Sequence, residues 1–173
     1  MKLLYTLALI SIYLALANAA CSDLVEFTHP NFVGYYGPIR VHTNFRSYMN
    51  SLATLAVNCG AKIYVTSSFR SAGASVTNTV VPPATYSNHN AGYAIDFNVG
   101  DASGSTITCI STCLGGPTAS MPKYAQCFTA GITGISGLRW GQNFTTKDPV
   151  HIDFPLNNNL TIFNNIVQGL FGC

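Results

Sequence analysis

Charge is what this sequence has least of. Asp, Glu, Lys and Arg make up 8% of its 173 residues, against roughly 25% in ordinary soluble domains, so Ser, Thr, Asn and Gln must supply the polar surface. That composition suits export from the cell. No sign of charge dominates either: eight basic side chains stand against six acidic ones. Without a basic field to hold nucleic acid or an anionic membrane, neither is expected as a partner. Internal repeats and linkers are also missing, and the one long apolar run is at the start of the chain. It extends from Leu3 to Leu16 behind Lys2 and closes on Ala17-Asn18-Ala19. The run is short for a bilayer span and has no stop-transfer flank, so residues 1–20 read as a secretory signal peptide, cleaved after Ala19 or Ala20, with a retained anchor as the alternative.

About 153 residues follow, enough for one domain with its own core and too few for two. The expectation is a single secreted domain over residues 21–173, a monomer with no membrane attachment once the signal is removed. All six cysteines fall within it: Cys21, Cys59, Cys109, Cys113, Cys127 and Cys173. An even count behind an export signal implies three disulfides, and sequence leaves the fifteen pairings open. Zinc ligation by Cys109 and Cys113 is the weaker reading, because an oxidising compartment consumes thiols and no second suitable pair follows.

Periodicity places the elements. From Thr43 or Asn44 as N-cap, Phe45, Tyr48, Met49, Leu52, Leu55, Ala56 and Cys59 recur at helical spacing, and Gly60 ends the helix. Residues 62–67 read as a strand that delivers Arg70 to its end. Ser120 is read as capping a helix that carries Tyr124, Cys127 and Phe128 and stops at Gly131, with Pro122 in its first turn. A strand through Leu138, Arg139 and Trp140 follows, and the chain closes with a helix whose apolar face is Leu160, Phe163, Ile166, Val167 and Leu170. Residues 21–40 read as turns around one short strand, and residues 72–86 as a long irregular stretch of the kind that walls or covers a substrate. His29 and His42 lie outside any motif and are assigned structural roles.

Two segments carry chemistry. In the first, Ser87 to Phe97, the apolar residues Tyr93, Ile95 and Phe97 alternate with Ala94 and Asp96, which puts Asp96 on the face opposite the buried one. In the second, Asp148 to Phe154, Val150, Ile152 and Phe154 alternate in the same way around His151 and Asp153. If the two strands are neighbours, Asp96 and His151 share a face, and His89 reaches it from a loop turned by Gly92. Two imidazoles and a carboxylate suit catalytic zinc, which leaves its fourth position to water. Asp148, three residues before His151, is placed to receive a proton from that water. Asp153, on the His151 face, either competes as a ligand or orients an imidazole from behind, and the second role is preferred. Ser87 is likewise assigned to support rather than ligation. An arginine beside such a site offers paired donors to a carboxylate or an oxyanion, and that role is preferred for Arg70 over pairing with a surface acid.

Ser-x-His-x-x-Gly-x-Ala-x-Asp followed by Asp-x-x-His resembles the zinc D-Ala-D-Ala carboxypeptidase and L-alanyl-D-glutamate peptidase family, which cleaves bacterial cell-wall peptides. Ser67-Ser68-Phe69-Arg70-Ser71 is similar to that family's Ser-x-Tyr-Arg-Ser segment, and the resemblance spans roughly residues 40 to 155. It implies one zinc ion on His89, Asp96 and His151, Asp148 as catalytic acid and base, and Arg70 beside substrate or transition state. It further implies an α+β domain whose antiparallel sheet carries helices on one side and the zinc site on the other, stabilised here by disulfides. An aspartate as catalytic acid resembles the L-alanyl-D-glutamate endopeptidases, so peptidoglycan stem peptides are the expected partner, with D-Ala-D-Ala carboxypeptidase second. The Hedgehog signalling domain shares the fold and a similar zinc site, which keeps a secreted, non-hydrolytic binding protein as the alternative class. The chain departs from the family after Trp140-Gly141, where Gln142-Asn143-Phe144 replaces a frequent Gly-Asp-Trp. Asn143 and Asn159 each begin a glycosylation sequon.

Overall fold

The computed structural model describes residues 21–77 and 79–173; the signal-peptide reading of residues 1–20 falls outside them. Three short strands occupy the first stretch, β1 (Leu24–Glu26), β2 (Phe32–Gly34) and β3 (Arg40–His42), where one was expected. Runs of three residues between prolines and glycines are too short to show alternation, so pairing partners elsewhere in the chain define them. β1 and β3 form a separate antiparallel ribbon.

Helix α1 (Arg46–Cys59) follows a single 3-10 turn. His42 is the cap of that turn, its Nδ1 accepting from the Asn44 amide at 3.1 Å, and Phe45 precedes the helix itself without a side-chain bond, so neither of the expected caps, Thr43 and Asn44, holds that place. Gly60 ends the helix at φ +62°, the left-handed conformation a glycine adopts without steric cost. From there β4 (Ala61–Ser67) leads on to Arg70. The long strand β5 (Ala94–Asp101) is the axis of the main sheet. Along one edge it pairs with β4; along the other its first half pairs with β8 (His151–Asp153) and its second half with β6 (Ile107–Cys109). β7 (Arg139–Trp140) pairs with β8, giving the order β2-β4-β5-β8-β7. The sheet is antiparallel except at one edge, where β2 runs parallel to β4. The intervening helix α1 provides the crossover that a parallel pair requires.

Short helix α2 (Ser111–Leu114) lies between β6 and helix α3 (Lys123–Ile132), and α4 (Leu160–Gly169) closes the fold. α3 begins at Lys123 with Pro122 rather than Ser120 as its N-cap residue; Ser120 belongs to a preceding 3-10 turn. Pro122 is extended, with φ −56° and ψ 146°, and brings no amide to satisfy, so it stands just outside the helix and not in its interior. α3 also runs one residue past Gly131, which serves instead as a contact surface: a Cβ there would lie 2.4 Å from Leu55 Cδ1 of α1.

Met49, Leu52, Ala53 and Ala56 of α1 and Ala125, Phe128 and Ile132 of α3 bury against Ile63, Val65, Ile95, Phe97 and Val99 of the sheet. The Phe97 and Phe128 rings meet edge to face at 5.7 Å. The opposite face of β5 is left for Asp96. All six cysteines are paired, Cys21 with Cys173, Cys59 with Cys127 and Cys109 with Cys113. The second bridge fastens α1 to α3, and the first joins the two ends of the described chain. Residues 72–86 hold no helix or strand among those described, and no described helix is long and apolar enough to cross a membrane.

Candidate metal centre

Asp96 and His151 are direct cross-strand neighbours, because β5 and β8 pair with Ile95 opposite Ile152 and Asp96 opposite His151. His89 comes from a 3-10 turn, Asn88–Ala91, closed by Gly92 at φ +72°. A Cβ on Gly92 would sit 2.7 Å from the His42 backbone nitrogen, so both conformation and space require glycine there. The turn is fastened to the end of β4. His89 Nδ1 lies 2.7 Å from the Ser68 carbonyl, the Arg70 amide donates to the His89 carbonyl at 3.1 Å, and Asn90 Nδ2 donates to the Arg70 carbonyl at 3.0 Å.

These contacts choose the ring nitrogens. A carbonyl can only accept, so His89 carries its proton on Nδ1 and turns a lone pair inward from Nε2. His151 Nε2 faces Asp153 Oδ2 at 3.4 Å, which leaves Nδ1 as its inward atom. His89 Nε2, His151 Nδ1 and Asp96 Oδ1 stand 3.0, 3.1 and 3.2 Å from one another. With both protons on the outward nitrogens, three acceptor lone pairs converge with nothing between them, an arrangement that calls for a cation. Tetrahedral zinc with ligands at about 2.0–2.1 Å has ligand-to-ligand edges of about 3.3 Å. The trio fits that ion with only slight expansion.

The ionisation of the groups agrees. Burial pushes the Asp96 carboxyl up, but the charge of His89 and hydrogen bonds from His151 and His89 outweigh it and hold the group well below the usual carboxylate range. Burial lowers His151, while hydrogen bonds and charge from Asp153 and Asp96 more than reverse this and lift it to about 9.

Asp153 is a support rather than a ligand. Its buried carboxylate accepts from Arg139 Nε at 2.9 Å and Nη2 at 2.7 Å and from Asn88 Nδ2 at 2.7 Å. Burial opposes ionisation, yet His151 and Arg139 hold its pKa to about 2. Fixed in this way, it orients the His151 ring. Arg139 and Asn88 went unrecognised in the sequence. Asn88 lies inside the first motif but makes its bond to a residue 65 positions away, and only the pairing of β7 with β8 puts Arg139 opposite Asp153. Ser87 supports something other than a ligand: its Oγ lies 3.3 Å from Arg70 Nη2.

Asp148 and Arg70 complete the group. Burial lowers the Arg70 guanidinium, against the opposing charges of Asp96 and Asp148; burial likewise raises Asp148, with His151 among the charges acting on it. Asp148 Oδ1 is buried without a hydrogen-bond partner. Among six acids in the whole chain, Asp96, Asp148 and Asp153 gather here. His89, Asp96 and His151 together form a group that could hold a metal ion, with the Asp148 carboxyl and the Arg70 guanidinium within electrostatic reach of it. The peptidase M15 family matches residues 26–127, more than half of the chain, and the chain belongs to that family of zinc peptidases acting on peptidoglycan. The match includes Arg70, His89 and Asp96 and ends before Asp148 and His151, which the fold itself brings to them. No curated protein sequence matches the chain.

Proposed function

We propose that this protein is a secreted zinc peptidase that hydrolyses the stem peptides of bacterial peptidoglycan, acting first of all as an L-alanyl-D-glutamate endopeptidase. The observation that carries the reading is the convergence of His89, Asp96 and His151 beside an unpaired Asp148 carboxyl. Zinc at the trio would supply Lewis acidity, polarising the scissile carbonyl and acidifying a water molecule. The protein's own groups do the rest. Asp148, its pKa drawn upward by burial, receives the proton of the attacking water and returns it to the leaving amine. Arg70, held by Ser87, offers paired donors to the charge that develops on the carbonyl oxygen or to a substrate carboxylate. Asp153, clamped by Arg139 and Asn88, keeps His151 in the ligating tautomer.

Secretion is supported by the apolar leader and by three disulfides, which persist in oxidising compartments. In a host that glycosylates, Asn143 and Asn159 are the acceptor sites. Purified peptidoglycan digested with the oxidised mature protein and read by mass spectrometry identifies the bond. New amino termini at D-Glu, abolished by a chelator and restored by zinc, are expected. Loss of a single terminal alanine would instead assign a D-Ala-D-Ala carboxypeptidase, and no product from zinc-loaded protein would point to the non-hydrolytic binding class.

A further inference from the structure

The turn after β2 presents two large aromatic side chains to solvent. Tyr35 is 51% exposed and Tyr36 80%, the highest value of any large hydrophobic side chain among the described residues, and their rings meet edge to face with centroids 4.7 Å apart. The turn is tight, since a Cβ on Gly34 would collide with the Gly37 carbonyl. Two adjoining rings left in water forgo the free energy that burial would bring. A patch of this kind marks a place where something docks.

Tyr36 also lines a groove of about 370 Å³ that follows the end of β4. The groove is the gap between the point where β2 leaves β4 and the point where β3 joins it. On the first side the Tyr35 amide donates to the Val65 carbonyl at 2.8 Å. On the second the Phe69 amide donates to the Arg40 carbonyl at 2.9 Å, and Ser68 Oγ accepts from the Arg40 amide at 3.0 Å. Thr66, Ser67 and Ser68 line the stretch between these ties. Ser67 stands opposite Asp96 in the ladder, and the Ser68 carbonyl faces His89 Nδ1 at 2.7 Å. The groove therefore runs from the exposed rings to the rung that carries the metal-binding trio. Val65 to Ser67 is two residues, about 7 Å along the strand, and each step across the sheet adds about 5 Å.

The lining selects the chemistry of the occupant. It holds hydroxyl groups and aromatic rings, no acid and a single cation, Arg40. That cation is already engaged, its guanidinium over the Phe69 ring at 5.5 Å and bonded to the Cys173 carbonyl at 3.3 Å. An uncharged ligand with C–H groups on its faces and hydroxyl or amide groups on its rim fits such a lining, because the faces pack on aromatic rings and the rim bonds to serine and threonine. A sugar ring has this form. In peptidoglycan the L-alanine end of the stem peptide is joined to an N-acetylated amino sugar. One residue spans about 3.5 Å, so a single alanine and its linkage to the sugar cover a distance on the scale of this groove.

Resting on the peptidoglycan reading above, we propose that Tyr35 and Tyr36 form a platform for the amino sugar at the head of the stem peptide, so that glycan and peptide are recognised together along one groove.

The test uses zinc-loaded protein and three probes: a stem peptide carrying N-acetylmuramic acid on its L-alanine, the same peptide with an acetyl group in place of the sugar, and the trisaccharide of N-acetylglucosamine. Cleavage is read by mass spectrometry, and sugar contact from the ring-proton shifts of the tyrosines. Stacking on an aromatic face is worth about tenfold. Wild type should cleave the sugar-bearing peptide with about tenfold higher kcat/KM than the acetylated one, and the trisaccharide should shift the Tyr35 and Tyr36 resonances. Tyr36→Ala should bring the ratio to about one with zinc content unchanged. Equal kcat/KM for the two peptides in wild type overturns the platform and leaves the peptidase standing, as does a preference that survives in Y36A. Tyrosine resonances unmoved by the trisaccharide also overturn it. Tyr36→Leu, which keeps bulk and removes the flat ring, answers the same question should Y36A fail to fold. Trisaccharide binding that is lost in Y36A, from a wild type that cleaves neither peptide, would sink the peptidase reading and leave the platform.

Discussion

His89 and His151 present different ring nitrogens to the same point, and the choice is made by the acceptors behind them, Ser68 for one and Asp153 for the other. This has a consequence for pH. His151 is lifted to about 9 in the metal-free protein, so its protonated form contributes stability that is fully present below the unfolded value and lost as pH rises through about 9. Zinc requires the neutral ring and must displace that proton. Zinc affinity should therefore rise with pH, by about tenfold per unit below about 9, with one proton released from His151 per ion. Competition with a chelator from about pH 6 to pH 9 measures the slope, and a flat profile would contradict it. In the proposed mechanism Asp148 contributes to the reaction and not to holding the ion. Asp148→Ala should keep its zinc and lose turnover by about 10²–10⁴-fold; metal analysis beside a rate assay separates the two, and full activity in the variant would remove Asp148 from the mechanism.

At the scale of elements, the site depends on one turn and one strand pair. Gly92→Ala places a side chain at φ +72° and 2.7 Å from the His42 nitrogen, so it should destabilise the protein by more than about 2 kcal/mol and weaken zinc binding by displacing His89. Gly60→Ala is the control. Its φ is +62° with no atom within 4 Å, so only the left-handed strain of about 1 kcal/mol remains, and zinc binding should be unchanged. Thermal unfolding with and without zinc reads both variants. The strand pair was legible in the sequence because alternation over Tyr93 to Phe97 and Val150 to Phe154 encodes faces, and one shared face is enough to bring Asp96 beside His151. The register that pairs them, and the parallel placement of β2 on β4, depend on contacts distant in sequence and leave no local pattern. The Ser120 cap was misread for the opposite reason: a local preference for serine gave way to Pro122, which takes the N-cap position without a side-chain bond and leaves Ser120 in the turn before it. Asn159 carries two readings at once, since its side chain caps α4 by accepting from the Ile162 amide at 3.2 Å while it also begins an Asn-Leu-Thr sequon.

Across the whole molecule, a chain with few charges concentrates them. Three of its six acids and two of its four histidines meet at one site, while other charged side chains such as Glu26, Arg46 and Lys147 are exposed. Disulfides take part of the stabilising role. In the loop-entropy treatment the Cys21–Cys173 bridge, closing a separation of 152 residues, contributes about 5 kcal/mol, and Cys109–Cys113, separated by 4, about 2 kcal/mol. Replacing Cys21 and Cys173 with serine should accordingly lower denaturant stability by more than twice as much as replacing Cys109 and Cys113; equal losses would show that loop length is not what matters here. Both double variants should still hold zinc under native conditions, since none of the four cysteines is among the ligands. The number of disulfides was legible from an even cysteine count, but their pairing was not, because it depends on how α1 meets α3 and where the two ends of the chain come to lie.

The most direct measurement is a zinc titration of the metal-free protein while hydrolysis of a stem peptide is followed. Turnover should be absent at the start, rise in proportion to added zinc and stop rising at one equivalent, with His89→Ala showing no such rise. Turnover that ignores a chelator, or one bound zinc per chain with no hydrolysis of any stem peptide, would contradict a zinc peptidase built on His89, Asp96 and His151.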